Sequence, residues 1–290
     1  MSKGKLYLFI SAFLYGILPV FASIAYRGGI NGVTLVFLRS SISVPLLYVM
    51  IKADKKSFHL TRKQRKSIIY LALVGGSLPL ILLYLSYTFI PTGLATTLHF
   101  TYPLIIVLAS SVIYHQKISR TTLCSVIFVT IGIFMFSDMS IKMSKIGIIL
   151  ALLSGVFYSF YMIYLDYAGL DRMDFVVLTF YLMVFMSVAT FLFGLVTDSI
   201  SFDFSALSWS FGVLISLVTT LGAMPLLQIG IRYEGAANAG IISAIEPITS
   251  TVAGAMFLGE FIGMGQVLGS AMILMGVLLL QKREKVHISR

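Results

Sequence analysis

The stretch Leu94–Ile113, LATTLHFTYPLIIVLASSVI, has a later echo in Asn238–Phe257, NAGIISAIEPITSTVAGAMF, at an offset of 144 residues. Identical residues fall at Ala95 and Ala239, Pro103 and Pro247, and Ala109 and Ala253. Each run is long enough to cross a bilayer, since about 20 apolar residues in a helix span the hydrocarbon core. Each carries a proline near its middle and a polar residue just before it, Tyr102 or Glu246. Proline removes a backbone donor and frees the carbonyl one turn earlier. For Pro247 that carbonyl belongs to Ser243, which shares a helix face with Glu246. A charge at mid-span costs about 2.5–3.5 kcal/mol on insertion scales. Glu246 must therefore be protonated, paired or facing a wet cavity.

The rest of the chain has the same character. Of its 290 residues 58% are hydrophobic and 11% charged, and the mean hydropathy is +0.98. Soluble domains carry about 25% charged residues, so this is a polytopic membrane protein, and only helices suit its open-ended spans. The net charge of +10 reflects basic loops rather than a nucleic-acid surface. The first apolar segment is too long for a signal peptide and is read as a helix of the mature protein. The lone Cys124 excludes an internal disulfide and a cysteine-based metal site.

The pattern predicts ten spans, at roughly 4–26, 31–51, 67–89, 91–113, 119–137, 145–167, 173–197, 206–231, 234–258 and 261–281. With the N-terminus inside, seventeen Lys and Arg fall in inside segments and three (Arg27, Lys142 and Lys145) in outside loops. That bias predicts both termini to be cytoplasmic, in the plasma membrane. The basic run Lys52–Lys66 is expected to face anionic lipid heads. SAFLYG from Ser11 matches SGVFYS from Ser154 at an offset of 143, which pairs Tyr15 with Tyr158. Ile118 pairs with Ile262 and Gly132 with Gly276 at 144. Spans 1–5 thus repeat as spans 6–10. Because five is odd, the second copy enters from the opposite side, an architecture of many secondary transporters. The expected fold is all-α integral membrane: ten transmembrane helices in two inverted-topology five-helix repeats, residues 1–140 and 141–290.

The ten spans, the two halves and the pattern Ala236-Ala237-Asn238-Ala239, Glu246-Pro247 and Phe257-Leu258-Gly259-Glu260 resemble the EamA family of the drug/metabolite transporter superfamily. In the first half, Tyr102-Pro103 stands in place of the acid-proline pair and His115-Gln116-Lys117 in place of the Gly-Glu element. The resemblance implies export or exchange of small metabolites, often amino acids, through a cavity between the halves, without ATPase or enzymatic step.

Several mid-span residues are candidates for that cavity. Glu246 reads as a substrate or proton site, or as a structural acid that holds a kinked helix. Arg39, eight residues into span 2, prefers a carboxylate or phosphate partner; it binds an anionic substrate group, pairs with Glu246 or snorkels outward. His99 and Tyr102 lie one turn apart and mirror Ser243 and Glu246. His99 is a second proton-coupling candidate, or a hydrogen-bonded structural group. Tyr15, Tyr158, Tyr161, Tyr84 and Tyr87 offer ring faces and hydroxyls, or pack the bundle; Tyr15 and Tyr158 lead because the repeat pairs them. Gln228, after Pro225, is a weaker candidate. The expected substrate-binding set is Tyr15, Arg39, His99, Tyr102, Tyr158, Ser243 and Glu246, around kinks at Pro103 and Pro247 and among spans 1, 2, 4, 6 and 9.

Gly75, Gly76, Gly132, Gly254 and Gly259 to Gly276 read as small-residue packing positions. Gly265 and Gly269 have the GxxxG spacing, which fits spans 5 and 10 packing together or a dimer face. No phosphate loop, HExxH, zinc-spaced set or GxSxG elbow occurs, so no enzyme, cofactor or metal is expected. The expected partners are a small-molecule substrate and the lipid bilayer, with the chain a monomer or homodimer. The leading function is a secondary transporter of amino acids or related metabolites. An organic-cation carrier of the choline kind is the alternative, and a membrane assembly partner the remote one.

Overall fold

Lipid offers a backbone no hydrogen-bond partner, so an apolar chain satisfies its amides within helices. The protein is described from a computed structural model, over residues 2–86, 89–90, 92–113, 118–135, 144–259 and 262–281. Helix α1 spans Lys3–Arg27, α2 Gly32–Ala53 with an interruption at Ile42, and α3 Arg62–Ser86. Then come α4 (Thr92–His99), α5 (Tyr102–Ile113), α6 (Arg120–Phe134), α7 (Lys145–Tyr167) and α8 (Phe175–Val196). Helix α9 covers 206–234 and α10 covers 236–243, followed by α11 (Glu246–Leu258) and α12 (Met264–Gln281). Six helical segments are long and apolar enough to cross a membrane, and shorter apolar helices include α5 and α6. At 25 residues, α1 is about 37 Å long. The chain is a multi-pass membrane protein.

The joints have local causes. Gly235 turns the chain between α9 and α10 at φ 79°, ψ 163°, a conformation that favours glycine. Thr61 and Gln64 form a capping box that starts α3. Within α3, Leu71–Ser77 is π-helical, and within α9 Val218–Ala223 is too. Each wide turn lies just before a mid-helix proline, Pro79 or Pro225. A proline cannot donate to the carbonyl four residues back, and the wider turn absorbs that loss. The run Lys52–Lys66 is helical at both ends and open between them: Lys52 lies in the last turn of α2 and Arg62–Lys66 opens α3. Lys56 does not point simply at lipid, because it bridges Asp54 (3.0 Å) and Asp174 (3.1 Å).

Packing follows the repeat. Helix α1 packs along α9, α10 and α11, and its repeat partner α7 packs along α3, α4 and α5. Helix α8 crosses α2, and α6 pairs with α12. The glycines between α6 and α12 bring backbones together. A Cβ on Gly132 would lie 2.6 Å from the Gly269 carbonyl oxygen, and one on Gly276 would lie 2.7 Å from that of Ser125. The GxxxG face read from sequence is therefore spent within the chain. Gly132→Val is expected to destabilise the protein by more than the roughly 1–3 kcal/mol of overpacking against side chains that can adjust, seen as a lowered melting temperature in detergent. An unchanged melting temperature would refute this packing.

Candidate functional site

Two broken helices build the site. Helix α4 ends at His99 and α5 begins at Tyr102; α10 ends at Ser243 and α11 begins at Glu246. Both pairs are related by the offset of 144. Pro103 and Pro247 are the second residue after each break, so the kinks fall where the sequence places them. The breaks are covered by the repeat-paired helices. A Cβ on Gly155 of α7 would meet the His99 carbonyl oxygen at 2.7 Å, and one on Gly16 of α1 would meet that of Glu246 at 2.7 Å. Ser159, the repeat partner of Gly16, donates to the Gly155 carbonyl at 2.7 Å and lies 3.3 Å from that of Tyr102.

Between the breaks lies a cavity of about 350 Å³. Tyr15, Arg39, His99, Tyr158, Glu246 and Pro247 all reach it. Arg39 Nε and Glu246 Oε1 are buried without a hydrogen-bond partner, and no ion pair joins the two side chains. Both are close enough to Tyr15 to act on it electrostatically. An acid and a base thus share one cavity with no ion pair between them. Around them stand aromatic walls: Tyr158 and Tyr161 stack at 6.0 Å and 5°, and Tyr26 and Tyr84 meet edge-on at 6.3 Å.

Two members of the expected set do not line the cavity. Tyr102 is fully buried, because its ring packs between His99 (5.6 Å), Phe100 (5.7 Å) and Tyr158 (4.9 Å). Ser243 is 2% exposed and sits behind the wall at the α10 break. Gln228 does not line it either and lies within hydrogen-bond distance of Thr179. Tyr87 lies outside the described residues.

The sequence reading also left lining out. Besides the expected Tyr84, helix α3 contributes Gly75 and Gly76, and α11 adds Ser250 and Thr251. The glycines do pack, as expected: a Cβ on Gly75 would lie 2.8 Å from Tyr161 Cα. The same lack of a side chain opens the wall. The matching mid-span prolines of spans 3 and 8, Pro79 and Pro225, were the available signal for a disturbed helix here.

The cavity is one-sided. Its lining on α1 runs from Tyr15 to Tyr26 and on α11 from Glu246 to Leu258, toward the face that holds Arg27. The opposite face, with the N-terminus, is shut. Ser2 hydrogen-bonds Glu234, and Tyr181 donates to the Phe58 carbonyl at 2.7 Å. The Lys56 bridge lies here as well. Burial works against the Lys56 ammonium while Asp54 and Asp174 favour it, and the net effect is a pKa above the ordinary value. A raised lysine pKa means that the lysine's contribution is fully present below about 10.5 and is lost as pH rises through the folded value. Being partly exposed, it contributes little stability.

Comparisons with known proteins agree with this architecture. Residues 2–138 and 145–281 each match the model of the EamA-like transporter family. An uncharacterized transporter of Synechocystis sp. is 26% identical over 216 residues, covering 72% of this chain and 64% of that protein. An uncharacterized transporter of Archaeoglobus fulgidus is 25% identical over 173 residues, covering 60% of this chain and 61% of its own length. The chain therefore spans less than two thirds of these relatives' length. A protein of known crystal structure superposes with a TM-score of 0.80 over 97% of this chain and 96% of its own, at 14% identity, which establishes the shared fold. With the family model matched across both halves, the chain belongs to the EamA-like transporter family.

Proposed function

We propose that the protein is a secondary transporter of small zwitterionic metabolites, amino acids or their relatives, which it exports or exchanges by alternating access. One observation carries this reading: Arg39 and Glu246 face the same cavity and leave each other unpaired. A zwitterion supplies both missing partners at once, its carboxylate to the guanidinium and its ammonium to Glu246. An organic cation suits Glu246 and the tyrosines but meets the Arg39 charge with nothing to offset it. In this reading the chain crosses the plasma membrane ten times, as two oppositely inserted halves divided near residue 140. The termini are cytoplasmic by the Lys and Arg bias, and the open side of the cavity then faces outward.

Thermal-shift screening of the purified protein separates the ligand classes. Neutral amino acids are expected to raise the melting temperature and choline is not. Stabilisation by choline alone would overturn the zwitterion reading in favour of a cation carrier. Coupling is tested in proteoliposomes with an imposed pH gradient. Wild-type transport is expected to follow the gradient and Glu246→Gln to lose that response. Transport indifferent to the gradient in both would remove Glu246 and His99 as proton carriers.

A further inference from the structure

The His99 ring is held in one orientation by a bond that also sets where its proton sits. Its Nδ1 lies 2.8 Å from Ser154 Oγ. Ser154 lies 2.7 Å from the Ala151 carbonyl oxygen and donates to it. A hydroxyl has one proton to give. The Ser154 proton is committed to a carbonyl, which can only accept, so Ser154 receives a hydrogen bond from Nδ1–H. In the neutral imidazole the lone pair then resides on Nε2. No partner for Nε2 occurs among the described residues, and the ring lines the cavity. Its ring neighbours, Phe100 at 5.8 Å, Tyr102 at 5.6 Å and Tyr158 at 5.4 Å, carry no charge to compete for a ligand.

The repeat makes this feature one-sided. At the second break the position of His99 is taken by Ser243, buried away from the cavity. The position of Glu246 is taken at the first break by Tyr102, also buried. The second-half break thus brings a carboxyl group, and the first-half break brings an imidazole acceptor.

We infer that His99, with Ser154 as its positioning residue, determines specificity for the substrate side chain, selecting zwitterions that bring an N–H or O–H donor to Nε2. The inference rests on the zwitterion reading of the cavity and adds the end of the substrate that Arg39 and Glu246 do not address. A ligand without a donor leaves a desolvated imidazole nitrogen unpaired and is disfavoured for that reason.

The test is competition binding to the full-length protein in nanodiscs at pH 7.5, with ligand pairs of similar shape: homoserine against norvaline, and tyrosine against phenylalanine. The wild type is expected to prefer the donor-bearing member of each pair by about tenfold, the scale of one hydrogen bond. His99→Leu is expected to bring that ratio close to one, and His99→Gln, which keeps an acceptor, to retain part of it. Ser154→Ala is expected to lower the ratio and to change the imidazole ¹⁵N shifts from a single Nδ1–H tautomer to a mixture, a change that loss of packing alone does not produce. Equal binding within each pair by the wild type overturns the inference, as does a preference that survives His99→Leu. If norvaline and homoserine both fail to bind while choline binds, the zwitterion reading falls and takes this inference with it.

Discussion

Glu246→Gln and Arg39→Gln are each expected to weaken binding of a zwitterionic amino acid by about a hundredfold or more. Glu246→Gln is close to isosteric and Arg39→Gln is shorter but keeps a polar end, and each removes one ionisable group from a cavity where Arg39 Nε and Glu246 Oε1 are buried without hydrogen-bond partners. Losing one member of a buried, hydrogen-bonded charge pair costs about 2–5 kcal/mol, much of it the penalty of leaving the other charge unpaired. Here the charge left unpaired belongs to the ligand. The two variants differ in which ligand group they cease to recognise. A methyl ester, which lacks the carboxylate, is expected to bind wild type about as weakly as the free amino acid binds Arg39→Gln, and to lose little more in that variant. The corresponding N-acetyl compound is expected to behave this way toward Glu246→Gln. Calorimetric titration of the four combinations checks both assignments. Losses under about threefold in both variants would show that the two charges do not grip the ligand.

The repeat made the breaks legible, because Pro103 and Pro247 fall at the same offset in two apolar runs and a proline inside a helix has a fixed consequence. It also brought Tyr15 and Tyr158 to the same cavity from opposite halves. What it could not specify was the face each neighbour presents. Tyr102 aligns with Glu246, but an uncharged ring at that position gains more from packing among His99, Phe100 and Tyr158 than from a wet cavity, so it turns inward. Ser243 follows the same logic, being small enough to be covered at the break. The contribution of α3 was hidden for a different reason. Gly75 and Gly76 look identical in sequence whether they serve a helix contact or open a wall, and here one absence of side chain does both. The Lys56 bridge to Asp174 was beyond reach as well, because it joins residues of opposite halves that no local pattern connects.

Gly155→Val and Gly16→Val are expected to remove most of the folded protein, and the asymmetry between two kinds of glycine makes the argument checkable. At Gly155 the backbone conformation is ordinary helix, but a Cβ would lie 2.7 Å from the His99 carbonyl oxygen. At Gly16 it would lie 2.5 Å from Thr249 Cβ and 2.7 Å from the Glu246 carbonyl oxygen. The two carbonyl oxygens are main-chain atoms at the breaks of α4–α5 and α10–α11, and the main chain cannot rotate out of the way. Overpacking costs about 1–3 kcal/mol where side chains can adjust, and the cost here exceeds that range because the breaks themselves must move. Gly169 is the opposite case. Its φ is +68° and nothing lies within 4 Å of an added Cβ, so Gly169→Ala meets only the backbone penalty of about 1 kcal/mol. Fluorescence size-exclusion of detergent extracts should show a folded peak for Gly169→Ala and a loss of more than half of it for the two valine variants. Gly155→Ala should fall between them, since one methyl forces a smaller displacement than an isopropyl group. Equal recovery of all four variants would mean that α1 and α7 do not clasp the broken helices. The carbonyls at His99 and Glu246 would then be free of the contacts that hold the two half-helices, and with them the cavity's charged and neutral ends, in place.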